Sequence, residues 1–329
     1  MKISKSVLIT SVSSCFCGLA LAGGIEVPEE ITVAPHRYTI GGSLLYGQPS
    51  TNSGLLEYAT IRTINQISDF TDTNNASITN RDYDFGFDVF ARYNFINSDR
   101  DLTVSYLRFS DTDTDNTILG SYLNTMITPI YNQFYHTAEG SIQSRLDAAD
   151  LMAGQNMHLG ESVKLHFIGG LGFARIKQTF EHSYDADLGF TNVGIPANRA
   201  NESYYTYNSQ FQGMGPKLGI DADYDFMQTG FGLAGGLSAA LLMGSLDYSI
   251  NSSKATAPFP IPHYIYQSID FDSNNIVVTN LNANVGIRYY CHYFESELGY
   301  RVNQYSDAVY DDSNFGLSSF YLKVAVSFL

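Results

Sequence analysis

Two groups of acids in this chain have a spacing that could do chemistry. Asp111-Thr112-Asp113-Thr114-Asp115-Asn116 spaces its carboxylates like the start of a calcium loop. Such a loop needs Gly at its sixth position and Glu at its twelfth, where this chain has Asn116 and Tyr122. The mismatch predicts a solvated acidic loop. Asp82 and Asp84 stand two apart, so on a strand they share one face and could act as a pair of acids. Hydrolysis by such a pair would also need a histidine base oriented by a carboxylate. No Asp-x-His pair occurs, and the 7 histidines (His36, His136, His158, His166, His182, His263, His292) show no metal-ligand spacing. Phosphate loops, dinucleotide fingerprints and nucleophile elbows are absent as well. The expectation is a protein with no catalytic residues, no metal and no cofactor, in which Asp82 and Asp84 line a wall.

The elements that would carry them are strands. From Asp82 to Phe95, Tyr83, Phe85, Phe87, Val89, Ala91, Tyr93 and Phe95 alternate with Asp82, Asp84, Gly86, Asp88, Phe90, Arg92 and Asn94. A strand turns successive side chains to opposite faces, so one face is apolar and the other mostly polar. The pattern recurs over 277–290, 294–303 and 319–328, and less cleanly over 38–46, 102–106, 141–157, 163–173, 217–226 and 231–241. These make about ten strands, within a range of eight to fourteen. The connections between them alternate: 48–80, 111–140, 181–203 and 251–274 are long, 306–316 is intermediate, and 96–100, 158–161, 227–230 and 291–292 are short. Short turns at one end and long loops at the other are the signature of an antiparallel transmembrane β-barrel, with short periplasmic turns and long external loops. Leu55–Ile67 and Tyr264–Phe271 are where further strands could hide. The polar faces name the candidate lumen-facing charges: Asp82, Asp84, Asp88, Arg92, Lys217, Asp221, Arg288, Glu295, Glu297, Arg301 and Lys323.

Composition agrees. Charged residues make up 16% of the chain, against roughly 25% in a soluble domain, while there are 24 Tyr, 21 Phe and no Trp. Sparse charge and abundant Tyr and Phe suit a lipid-facing band. The net charge of −15 excludes nucleic acid as a partner, because phosphates demand a basic footprint. Residues 1–22 read as a cleavable signal peptide: Lys2 and Lys5, an apolar stretch from Val7 to Leu21, and Ala20-Leu21-Ala22 before Gly23. The barrel then occupies 23–329, and its one cysteine, Cys291, is expected to be buried and inert.

Several stretches resemble the Legionella-type major outer membrane protein family. They are Leu44-Leu45-Tyr46-Gly47-Gln48-Pro49-Ser50, Gly169-Gly170-Leu171-Gly172-Phe173-Ala174-Arg175-Ile176, Phe211-Gln212-Gly213-Met214-Gly215-Pro216-Lys217-Leu218-Gly219 and Leu241-Leu242-Met243-Gly244. The resemblance implies a pore-forming barrel in the bacterial outer membrane and brings no catalytic residue with it. The function expected is passive passage of small hydrophilic solutes or ions. The alternative is a non-conducting surface barrel whose external loops mediate adhesion or ligand binding. Expected partners are outer-membrane lipid and lipopolysaccharide, the barrel assembly machinery, and further copies of the chain in a homo-oligomer. A lumen of about ten strands should be narrow or partly plugged, because eight strands leave only enough room for side chains.

Overall fold

The computed structural model describes residues 37–328, apart from 67–68, 79–80, 97, 126–134, 161, 187–200, 227–228, 257–262, 292 and 310–312. The expected signal peptide therefore lies outside the described residues. Twelve strands follow in chain order: β1 (Tyr38–Thr51), β2 (Glu57–Gln66), β3 (Asp69–Ser77), β4 (Asp84–Asn94), β5 (Arg100–Thr125), β6 (Tyr135–Leu159), β7 (Val163–Ala186), β8 (Asn201–Asp225), β9 (Phe231–Thr256), β10 (His263–Cys291), β11 (Phe294–Val309) and β12 (Ser313–Phe328). Ten of them close a ring, β1-β4-β5-β6-β7-β8-β9-β10-β11-β12, with every neighbour antiparallel. The seam is the pairing of β1 with β12, from Tyr38 opposite Phe328 to Thr51 opposite Phe315. Over the rungs that all ten strands share, closure leaves no unpaired edge among the described residues, which is what allows a sheet to cross a bilayer.

The hidden strand expected in 55–67 exists as β2, but β2 and β3 form a hairpin outside the ring. Residues 264–271 belong to β10 itself. The expected long loops are largely strand as well. β5 continues to Thr125, and β6 begins at Tyr135. Asp111–Asn116 therefore lies within β5, and Asp111 and Asp113 are buried on its inner face while Thr112 and Thr114 face outward. The reading of a solvated acidic loop is overturned, because pairing with β6 across Asp111↔Ser144 and Asp113↔Ile142 carries the strand on.

Along these long strands polarity inverts at one rung. Tyr106, Ala149, Phe173, Met214, Met243 and Val277 are register partners across six consecutive strands. On the short-turn side of that rung, apolar residues point outward: Leu102 and Val104 on β5, Leu151 on β6, Phe167 and Leu171 on β7, Leu218 on β8, and Leu237 and Leu241 on β9 are exposed. On the other side the outward positions turn polar (Arg108, Asp147, Arg175, Gln212), and apolar residues turn inward. The outward apolar stretch of β7, Leu165 to Phe173, has the length of a tilted bilayer crossing. At the short-turn end it is bordered by aromatic contacts: Tyr38 with Phe328, Tyr93 with Phe95, Tyr224 with Phe226 and Phe231 with Tyr289. Such a girdle marks a membrane–water boundary.

Beyond the inverting rung the wall is lopsided. β4 pairs with β5 only up to Phe87↔Arg108, and β11 pairs with β10 only up to Ser306↔Thr279. β5 to β10 continue past these points as a protruding wall. Its β5 edge is capped at the top by β2, through Ala59↔Thr125, Thr60↔Asn124 and Ile61↔Leu123. Among the described residues no strand pairs with the outer edge of β10 over 263–278. Strands pack closely where Gly lies inside: a Cβ on Gly215 would sit 1.8 Å from the Leu241 carbonyl oxygen, so a side chain there would force two strands apart. Cys291 is exposed rather than buried, because it ends β10 at a short turn on the rim.

Candidate functional site

Inside the lipid-facing half, the inward residues enclose a polar chamber of about 320 Å³. Nine of the eleven charges expected from sequence line it: Asp88, Arg92, Lys217, Asp221, Arg288, Glu295, Glu297, Arg301 and Lys323. They are arranged as ion pairs. Arg301 Nη1 is 2.6 Å from Asp88 Oδ2 and its guanidinium lies 5.1 Å from the Tyr321 ring centre. Lys323 Nζ bonds Glu295 at 2.9 Å and Glu297 at 3.3 Å, and Tyr321 donates its hydroxyl hydrogen to Glu297. Lys217 reaches Asp150 at 2.7 Å, and Arg288 holds Asp223 at 2.8 Å and Asp225 at 2.7 Å. His166 sits between Asp101 (Nε2 to Oδ2, 2.7 Å) and Asp221 (Nδ1 to Oδ2, 3.3 Å). Asn280, Asn282, Asn284 and Asn303 add an amide face on β10 and β11.

Asp82 and Asp84 do not join this chamber. Asp82 is exposed and precedes β4, which starts at Asp84 at the opposite end of the lumen, so the alternation read through Asp82 begins two residues too early. Sequence reading also missed Asp150, Lys164 and His166 as members of the chamber. They lie on β6 and β7, whose outward face is broken by Gly or Ala, as at Ala149, Ala153 and Gly169. There the apolar half of the alternation is too faint to assign faces.

Above the chamber, inward apolar side chains fill the lumen. Phe109, Leu146, Ile176, Phe211, Leu242, Val278, Tyr305, Phe315 and Leu317 form one buried cluster, drawn from eight strands of the ring. A second cluster lies further out, where the connection from β1 to β4 folds against the wall. Tyr58, Ala59, Ala76 and Ile78 pack on Ile142 of β6, Phe180 and Tyr184 of β7, and Tyr207 of β8. Between the two lies a thin polar layer. Arg81 Nε is 3.3 Å from Asp113 Oδ2, its Nη2 donates to Ser144 Oγ at 2.9 Å, and the Asp82 N–H donates to Asp113 Oδ1 at 2.8 Å. These contacts tie the returning end of the connection to β5 and β6. Burial, together with the neighbouring Asp113, pushes the Asp111 carboxyl up to about 7. Burial likewise holds His182 down to about 4, while its Nε2 meets the Leu55 carbonyl at 3.0 Å.

The chemistry available is therefore that of a lined cup. One end is polar and internally neutralised, and the other is closed by hydrocarbon. Among the described residues no group of three or more His, Cys, Asp or Glu side chains is arranged to hold a metal ion.

A model of the family described as Legionella pneumophila major outer membrane protein precursor matches residues 27–328. No curated protein matches the chain in sequence. Among solved structures, it is similar to the outer membrane protease OmpT from Escherichia coli at 12% identity, covering 91% of this chain and 99% of that one, with a TM-score of 0.41. The translocator domain of the autotransporter NalP from Neisseria meningitidis matches at 11% identity over 97% of both chains, with a TM-score of 0.34. Ail, the attachment invasion locus protein of Yersinia pestis, matches at 11% identity over 88% of this chain and 99% of that one, with a TM-score of 0.25.

Proposed function

Since the chain belongs to the Legionella pneumophila major outer membrane protein family and is an outer-membrane β-barrel, we propose that it is a surface barrel, closed to solutes at rest, whose protruding wall meets external ligands. The observation that carries this reading is the inward apolar cluster from Phe109 to Leu317. Its side chains belong to the ring strands themselves, so they cannot swing away as a loop would. A dry layer of this kind excludes water, and with it hydrated ions. The wall supplies what the lumen lacks: tall, accessible strands with Ile265, Tyr266, Ile269 and Phe271 exposed at the β10 tip.

A second reading, passive passage of small hydrophilic solutes, is favoured by the polar chamber, which would serve as a vestibule if the apolar layer opened. Planar-bilayer recording of the purified barrel separates the two. Silence, with ligand or cell binding retained, is the expected outcome. Discrete openings that persist after the protein is shown to be fully folded would replace it with the pore.

A further inference from the structure

The protein is acidic, with 33 Asp and Glu against 18 Lys and Arg. On one small patch that balance reverses. Immediately beyond the inverting rung, on the outward face of β5, β6 and β7, stand Arg108, Arg145, Arg175 and Lys177. Arg108 and Arg175 flank Asp147 on one rung, and Arg145 faces Lys177 on the next. Asp147 is the one acid among them, and the next outward acid along β7 is Glu181, two outward positions beyond Lys177. On the same two rungs β8 and β9 carry Gln212, Gln210, Ser245 and Asp247, so the cations form a local cluster rather than a girdle.

The patch is organised. Asp147 accepts from Arg145 Nε at 2.7 Å and from the Tyr106 hydroxyl at 2.7 Å, and lies 3.9 Å from Arg108 Nε. Arg175 Nη2 donates to Gln210 Oε1 at 2.7 Å. One carboxylate thus orients two guanidiniums while neutralising only one of four positive charges. Residues facing each other on adjacent strands lie about 5 Å apart, close enough for Arg145 and Lys177 to share one phosphate group. Directly below, Leu151, Phe167 and Leu171 offer exposed hydrocarbon. A ligand seated here would meet cations with its head and apolar surface with its tail.

We propose that Arg108, Arg145, Arg175 and Lys177 form a binding site for the phosphate groups of an outer-leaflet glycolipid, whose acyl chains lie along β6 and β7. The site holds whether or not the lumen conducts. Phosphate geometry suits the three arginines, each of which can donate two parallel hydrogen bonds. The head-to-tail layout commits the site to a membrane lipid rather than to a free anion.

The test uses the barrel as isolated from outer membranes, in mild detergent, with native mass spectrometry and a binding titration. The probes are bisphosphorylated lipid A, its dephosphorylated counterpart and inorganic pyrophosphate. Lipid A should be retained and the dephosphorylated lipid lost. The Arg175→Gln/Lys177→Gln pair should weaken lipid A by about thirtyfold, with Lys177→Gln alone giving about fivefold should the pair fail to fold. Arg100→Gln, at the short-turn end, should change nothing. Equal retention of the dephosphorylated lipid, or unchanged affinity in a folded Lys177→Gln variant, would overturn the site. Displacement of lipid A by pyrophosphate at equal concentration would overturn the lipid assignment and leave a site for free anions.

Discussion

The two halves of the long strands solve opposite problems with the same backbone. Below the rung of Tyr106, Phe173 and Met214, β7 shows Leu171 to the outside and His166 to the lumen. Above it, the same strand shows Arg175 and Lys177 outward and buries Ala174, Ile176 and Phe180. The ladder runs through unbroken, and only the side-chain phase changes. Hydrogen bonding therefore does not decide where the membrane ends; the medium on each face does. In lipid, apolar residues cost nothing outside and the polar ones must pair within. In water the wall needs a dry interior like any soluble sheet, and the β1–β4 connection provides part of it.

Four measurements break or sharpen this contrast, all read by urea unfolding of the barrel in lipid vesicles with tyrosine fluorescence. The largest effect is expected in the watered half. Phe211→Ala opens a cavity in the inner apolar cluster and should cost about 3–5 kcal/mol; a cost near zero would mean the cluster is not a packed core. Next, Leu171→Arg places a cation in the lipid-facing band and should cost about 2–4 kcal/mol. Gln212→Arg, outward on the neighbouring strand but beyond the rung, should stay within about 0.5 kcal/mol. Equal effects at the two positions would abolish the boundary. Arg301→Met strands Asp88 in the chamber and should cost about 2 kcal/mol, less than a fully buried pair because the chamber is polar. The last measurement is a pH slope. Asp111 holds its proton up to about 7 in the folded barrel, against about 4 when unfolded. Its contribution to stability is intact below about pH 4 and fades as the pH rises through 7. Asp111→Asn should flatten that decline, and an unchanged slope would place its cause elsewhere.

The ring was legible in the amino-acid sequence wherever one face stayed apolar and the other polar. Phe85 to Tyr93 and Leu281 to Tyr289 are such stretches, and their inward charges Asp88 and Arg288 line the chamber. The protruding wall was not legible, and the inversion explains why. When apolar residues jump from Leu171 and Phe173 to Ala174 and Ile176, period-two alternation slips by one and the strand seems to stop. Further out, β9 carries Ser and Asn on both faces over 249–253, and β10 places Tyr266 on one face and Ile265, Ile269 and Phe271 on the other, so no clean apolar phase remains to read. Two-faced polarity with Thr and Ser suits a strand as well as a loop, and only pairing across the ladder decides between them. Asp82 was misplaced for a related reason: Tyr83 and Phe85 continue the alternation past the point where β4 actually begins.

One seam of the wall is left unfinished. At the β5 side β2 pairs with Leu123, Asn124 and Thr125, whereas along 263–278 no strand pairs with the outer edge of β10 among the described residues. Natural sheets usually blunt such a margin, and here the defence is modest, with Asp270 and Asp272 the acids along it.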